Sequence, residues 1–202
     1  MELRLGTPAD FPVVMDRVVM SFRENNPGHG RFEDLYPDSV TPPSMSQWRL
    51  ASIEGDIAAG IQLVPRSLVC AVQVNVLGMG LGNVFCYPPF RGRGLMSRLL
   101  ERCISDMRSE GVGVCLLGGD RTRYGTFGWE HAGCDRALTL SASVKRFDRE
   151  APEVSAIELR TWTGDEDDLA KMLRAYRSLP YRTERTATEC ALVFRRPGQV
   201  LW

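Results

Sequence analysis

The chain has 202 residues, 44% of them hydrophobic and 25% charged, the mix of an ordinary globular protein with room for one well-buried domain and more. Its 25 basic residues balance 25 acidic ones, so the formal charge is zero and nucleic-acid binding, which asks for a basic excess or face, is disfavoured. No apolar run is long enough to cross a bilayer, and "MELRLGTPADF" has no basic segment leading into an apolar one, so the expectation is a cytoplasmic protein with no membrane contact.

"ELRLG" predicts a short strand. Thr7 as N-cap, Pro8 at the first helical position and Asp10 in the first turn then open a helix, whose apolar face is Phe11, Val14, Met15, Val18 and Phe22. The stretch from Asn25 to Gly30 breaks it. Pro37, Pro42 and Pro43 make residues 31–46 irregular, with one short helix. "QWRLASIEGDIAAGIQLVP" predicts a hairpin turning at Glu54-Gly55-Asp56. "SLVCAVQVNVLGMGLGNVFCYP" adds one or two strands, in which Gly78, Gly80 and Gly82 signal bulges or close backbone approach. Leu95, Leu99, Leu100, Cys103, Ile104 and Met107 trace a helix of about four turns that stops near Gly111. "GVCLLGG" has the continuous apolar run of a strand buried on both faces. "DRTRYGTFGWE" makes a tight turn region and "DRALTLSASV" another strand.

Near Asp148 the composition changes, and "DREAPEVSA" reads as a linker. Beyond it Glu158-Leu159-Arg160 echoes Glu2-Leu3-Arg4, and a Thr-started helix again follows, with Leu169, Met172, Leu173 and Tyr176 on one face. The division expected is a domain over residues 1–147, a linker over 148–156, and from 157 to 202 the start of a second copy of the same fold. "GQVLW" reads as a strand beginning, so the expectation is a piece of a longer protein. Six cysteines (Cys70, Cys86, Cys103, Cys115, Cys134 and Cys190) are scattered without a C-x-x-C pair, and His29 and His131 lie far apart. Neither a structural metal site nor a disulfide framework is expected; most of the cysteines read as small buried hydrophobes.

The stretch "VFCYPPFRGRGLMSRLLERCI" raises the functional question, because Arg91 and Arg93 alternate with Gly92 and Gly94 where a helix starts. Strand, glycine-rich turn and helix together hold phosphates, since the first helical turns have unpaired N–H groups and partial positive charge. A solvated helix start fits the same residues. An arginine–glycine RNA motif fits less well, because such tracts repeat within disordered segments. The Walker pattern fails for want of a closing Lys-Ser or Lys-Thr, and "GMGLG" is followed by strand-like sequence rather than a helix.

The stretch resembles the acetyl-CoA-binding segment of the GNAT N-acetyltransferase superfamily, V-x-x-x-P-x-[YF] followed by R-x-x-G-x-[GA]. Val84, Pro88, Phe90, Arg91 and Gly94 match, and Met96 departs from the usual small residue. Downstream, "YGTFGWE" resembles the family's Y-x-x-x-G-[FY] element through Tyr124, Gly128 and Trp129. The likeness covers about residues 1–145 and is similar to the multi-domain, enhanced-intracellular-survival branch.

The resemblance implies an α/β (α+β) fold, a GNAT-type mixed twisted sheet flanked by helices. Its central parallel strands, Leu81–Tyr87 and 114–118, splay apart to hold the pantetheine arm of acetyl-CoA. It implies that Val84, Phe85 and Cys86 line that arm, with the Cys86 N–H facing the thioester oxygen. Arg91, Gly92, Arg93, Gly94, Leu95, Met96 and Ser97 receive the diphosphate. Tyr124 acts as the acid toward the leaving thiolate. No metal is implied.

Asp120, Glu24, Glu33 and Asp34 are candidate bases, though each taken singly reads more readily as a surface carboxylate; the branch resembled implies that the full chain's C-terminal carboxylate serves instead. The acceptor is expected to be a small-molecule primary amine. It is set by about residues 22–45, where Glu24, Glu33, Asp34 and Asp38 favour a cationic one. A homo-oligomer is compatible with the full-length form. The alternatives are an acyl-CoA-binding module without catalysis and an RNA-binding role for Arg91 and Arg93.

Overall fold

The computed structural model describes residues 1–37, 39–71, 74–132 and 162–194. The sequence expectations at Asp38, Cys134, the strand "DRALTLSASV", the linker 148–156, the echo at residues 158–160 and the terminal "GQVLW" lie outside them.

Strand β1 (Glu2–Leu5) leads into a 3-10 turn (Pro8–Asp10) and helix α1 (Phe11–Arg23). Thr7 caps this start as expected. The Asp10 carboxylate accepts from the Thr7 N–H (2.7 Å) and hydroxyl (2.8 Å) and takes both arms of Arg4 (2.7 and 2.8 Å). A short α2 (Phe32–Leu35) and a 3-10 stretch (Pro42–Gln47) cross the irregular region. β2 (Trp48–Ile53) and β3 (Asp56–Cys70) form the expected hairpin. Glu54 (φ 52°) and Gly55 (φ 87°) are both left-handed, the backbone demanded by a two-residue turn with native strand twist. β4 (Val74–Cys86) returns along β3, and α3 (Leu95–Ser109) crosses over to β5 (Val114–Leu117). α4 (Arg121–Tyr124) and a 3-10 turn (Gly125–Phe127) follow. The later segment gives α5 (Glu166–Arg177), β6 (Tyr181–Thr183) and α6 (Ala187–Phe194).

The sheet runs β1-β2-β3-β4-β5, antiparallel except for the β4–β5 pair. β6 also pairs antiparallel with β3, at Leu68–Cys70, beyond the point where β2 has ended. β3 is longer than the sequence led one to expect, because it continues through Pro65. The Glu184 N–H reaches the Ser67 carbonyl, so odd-numbered residues here turn their backbone groups away from β4. The missing N–H of Pro65 therefore faces the gap between β2 and β6, where no described strand needs it.

Two apolar cores cover the two sheet faces. On one, α1 buries Val14, Met15, Val18 and Val19 against Trp48, Leu50 and Phe85. On the other, α3 buries Leu95, Leu99, Leu100, Cys103 and Met107 against Ala59, Ile61, Leu63 and Leu81. This is the mixed α/β sheet with flanking helices that the sequence led one to expect. Among the described residues no helix is long and apolar enough to cross a membrane.

Candidate active site

β4 and β5 are hydrogen-bonded only from Gly78 to Leu81 and from Val114 to Leu117. Beyond Leu81, β4 continues to Cys86 with β3, among the described residues, alone beside it, while β5 ends in Gly118-Gly119. The parallel pair is therefore parted at its C-terminal end. The cause is local: Gly60 pairs with Phe85 but Gln62 pairs with Gly82, so Asn83 and Val84 both stand opposite Ile61. This extra residue is a β-bulge, with Asn83 in the left-handed region at φ 51°. A bulge bends and twists its strand.

The parting turns specific backbone groups away from any β-strand partner among the described residues. The Tyr87 N–H donates to the Ala58 carbonyl at 2.8 Å, and Cys86 stands opposite Ala59. Alternation in an antiparallel ladder then turns the Cys86 N–H and C=O toward the edge that β5 abandons. The Cys86 carbonyl is taken by the Arg91 Nε–H at 3.0 Å. Burial pushes the Cys86 thiol up against the opposing Arg91 charge, so the sulfur stays protonated.

Past Cys86 the prolines and Phe90 form a 3-10 turn (Pro88–Phe90), and α3 starts among the glycines. Gly92 (φ 75°) and Gly94 (φ 70°) are left-handed, and a Cβ on either would meet only open space. Their need is conformational, and the surface over the helix tip is left unobstructed. Arg93 lies over the Phe90 ring, 5.5 Å from its centroid. Leu95 is buried, Ser97 is exposed, and Met96 packs against the α3-side core. The bulk at Met96 is thus partly absorbed by the interior.

Tyr124 closes α4 and is 7% exposed. Its ring meets Trp129 edge-on at 6.3 Å and fills the space beside Gly119, where an added Cβ would come within 2.6 Å of it. Burial raises the Tyr124 pKa, which keeps the phenol protonated. The ring lines a cavity of about 430 Å³ together with Cys115, Leu117, Phe127 and Trp129.

Three of the four expected bases are already engaged, and the fourth, Asp34, is exposed on α2. Asp120 caps α4, accepting the Thr122 N–H at 2.9 Å; this backbone bond and a second from the Thr122 hydroxyl hold its carboxyl below the usual carboxylate range. Glu24 pairs with Arg91 at 2.6 Å and Glu33 with Arg31 at 2.6 Å. Arginines thus offset two of the acidic residues on the expected acceptor side. Sequence reasoning missed Asn83, which forms the bulge with Val84, and Gln62, which accepts from its side chain. The available signals were a carboxamide inside the apolar run "GIQLV" and an asparagine, tolerant of left-handed backbone, after Gly82. Among the described residues no three metal-ligating side chains cluster.

Residues 2–132 match the family described as an acetyltransferase (GNAT) domain. No curated protein matches the chain. Among solved structures, a GNAT family acetyltransferase from Brucella melitensis in complex with acetyl-CoA is similar at 20% identity and a TM-score of 0.53, over 64% of this chain and 82% of that one. A probable N-acyltransferase from Enterococcus faecalis V583 is similar at 18% identity and a TM-score of 0.52, over 63% of this chain and 31% of that one. Eis1 from Mycobacterium abscessus shows 16% identity and a TM-score of 0.51, again over 63% and 31%. The aligned part of the chain thus spans less than a third of the length of these two larger proteins.

Proposed function

The chain belongs to the acetyltransferase (GNAT) domain family, and from that membership we propose that it transfers acetyl from acetyl-CoA to a primary amine by direct attack within a ternary complex. The observation that carries the proposal is the parted β4–β5 edge with the Cys86 N–H turned into it. The residues present fit the cofactor. An unpaired strand edge suits an amide-bearing arm, which can add to it as a further strand. The open, glycine-bracketed start of α3 suits a diphosphate, with Arg91 and Arg93 beside it and Met96 and Ser97 in the first turn.

When bound there, acetyl-CoA supplies the acetyl group as an activated thioester. The Cys86 N–H donates to the oxygen on which negative charge develops. Val84 lines the strand edge before it, whereas Phe85, also expected there, turns its backbone to Gly60 and buries its ring in the α1-side core. Tyr124, kept protonated by burial, donates its phenolic proton to the leaving sulfur. The Cys86 thiol takes no covalent part: burial disfavours its thiolate, and a thiol nucleophile needs a base to activate it.

A second reading has one observation in its favour. Asp120, Glu24 and Glu33 are each committed to a cap or an ion pair, which leaves exposed Asp34 as the one uncommitted candidate base among the described residues. That favours a module that binds acyl-CoA without turning it over. Calorimetry with acetyl-CoA and coenzyme A, followed by thiol release assayed against a panel of amines including polyamines and aminoglycosides, separates the readings. Binding with turnover supports the transferase and binding without turnover supports the module; no affinity for either coenzyme form removes both.

In the proposed division at residues 148–156, α5 stands where the second helix was expected, capped by Asp165 rather than by a threonine. β6 nevertheless joins the sheet of the first part through β3.

A further inference from the structure

β3 carries one uncharged polar side chain into an otherwise apolar stretch. Gln62 lies between Ile61 and Leu63 and is 0% exposed. A buried carboxamide must satisfy two donors and an acceptor or lose the hydration it gave up. Gln62 does so completely. Its Nε2 donates to the Ser39 carbonyl at 2.8 Å and to Gln47 Oε1 at 2.9 Å, and its Oε1 accepts from Asn83 Nδ2 at 2.6 Å. Asn83 is the left-handed residue of the β4 bulge.

An apolar residue at position 62 would leave the Ser39 carbonyl and Gln47 Oε1 without their donor, so the network is tied to the loop as well as to Asn83. Its geometry has a further consequence. Were the bulge lost, every residue of β4 after it would shift by one against β3 and turn its side chain and amide over. Tying Asn83 to a fixed interior atom pins the bulge. Cys86 follows within the same strand, so the pin also fixes where the Cys86 N–H points. Ser39 and Gln47 come from the segment between α2 and β2, on the side where the amine is expected, so one frame spans both partners of the reaction.

The geometry points to Gln62 and Asn83 as positioning residues for acetyl transfer: the Ser39–Gln47–Gln62–Asn83 network holds the bulge and thereby aims the Cys86 N–H at an acyl thioester in the parted slot. This rests on the acetyl-CoA reading of that slot. The test uses the full chain and acetyl-CoA labelled with ¹³C at the carbonyl. In the wild type the bound carbonyl resonance moves downfield of the free one, because a hydrogen bond polarises it. Asn83→Gly keeps a residue at ease with left-handed backbone and removes only the tie to Gln62. It is expected to bind acetyl-CoA about as well, to lose most of the downfield shift, and to lower kcat by about 10- to 100-fold with little change in KM. Gln62→Leu should act through the same tie, so the double variant is no slower than the slower single one. If Gln62→Leu fails to fold, Asn83→Gly alone decides. A folded Asn83→Gly protein with the wild-type resonance and kcat overturns the positioning role and leaves the acetyl-CoA reading standing. A wild type with no affinity for acetyl-CoA overturns that reading and the positioning role with it.

Discussion

Tyr124 shows how a single residue's surroundings decide its chemistry. Its ring is wedged between Trp129 and Gly119, and burial favours the neutral phenol. A proton donor that stays protonated at neutral pH suits a thiolate leaving group whose own pKa is about 8.5. Tyr124→Phe keeps the ring and its packing, so acetyl-CoA affinity should hold while kcat falls by about 10²- to 10⁴-fold; unchanged turnover would remove the phenol from the reaction. Asp10 offers a contrasting case, structural and readable by pH. The Arg4 guanidinium hydrogen-bonded to it, helped by Thr7, holds its carboxyl well below the usual carboxylate range despite partial burial. A depressed folded pKa contributes stability that is present above the unfolded value, about 3.9, and is lost as pH falls through the folded one. Asp10→Asn should therefore cost about 1 kcal/mol at neutral pH, with the gap to wild type closing as denaturation curves are taken to lower pH below that value. A gap that stays constant into strong acid would contradict the assignment.

At the scale of elements, α3 is fastened to the sheet by charge as well as by its apolar face. Arg49 on β2 is 8% exposed, and its Nε–H meets Asp106 of α3 at 2.9 Å while its remaining nitrogens reach the Gln47 carbonyl (3.1 Å) and Glu110 (3.5 Å). Removing one partner strands a buried charge, so Asp106→Ala is expected to cost about 3 kcal/mol by chemical denaturation. A loss near zero would mean that Glu110 takes over the pairing. Much of this scale was legible in the sequence. The periodicity of Leu95, Leu99, Leu100, Cys103 and Met107 marked the α3 face, and the Glu54-Gly55 turn marked the hairpin. Both are signals contained within a few neighbouring residues. The long β3 was less legible, because Pro65 reads as a boundary until β2 and β6 are seen to leave its missing N–H unopposed. The glycines of β4 marked the strand for a bulge but not its place at Asn83. Whether Asn83 faces Ile61 or pairs in register depends on β3, more than twenty residues earlier, and on a hydrogen bond to Gln62. For the same reason the pairing of Glu24 with Arg91 was hidden: one ends α1 and the other follows β4.

At the scale of the whole molecule, that ion pair joins the halves of the site. α1 belongs to the core on one sheet face and α3 to the core on the other. Arg91, set just before α3, binds the end of β4 through the Cys86 carbonyl and the end of α1 through Glu24. A cofactor lying along the β4 edge with its diphosphate on the tip of α3 would touch strand and helix together, and those groups come into one place only in the folded chain. Ligands that bind the native state alone stabilise it by mass action: about 2.7 kcal/mol at a concentration one hundred times Kd. For a chain of this size that corresponds to a rise in Tm of roughly 5–10 °C. Coenzyme A should produce most of the same rise, since the diphosphate and pantetheine carry the contacts, whereas acetate alone should produce none. A thermal scan in which acetyl-CoA leaves Tm unmoved at millimolar concentration would mean that the parted strands do not grip it, however well the sequence motif fits.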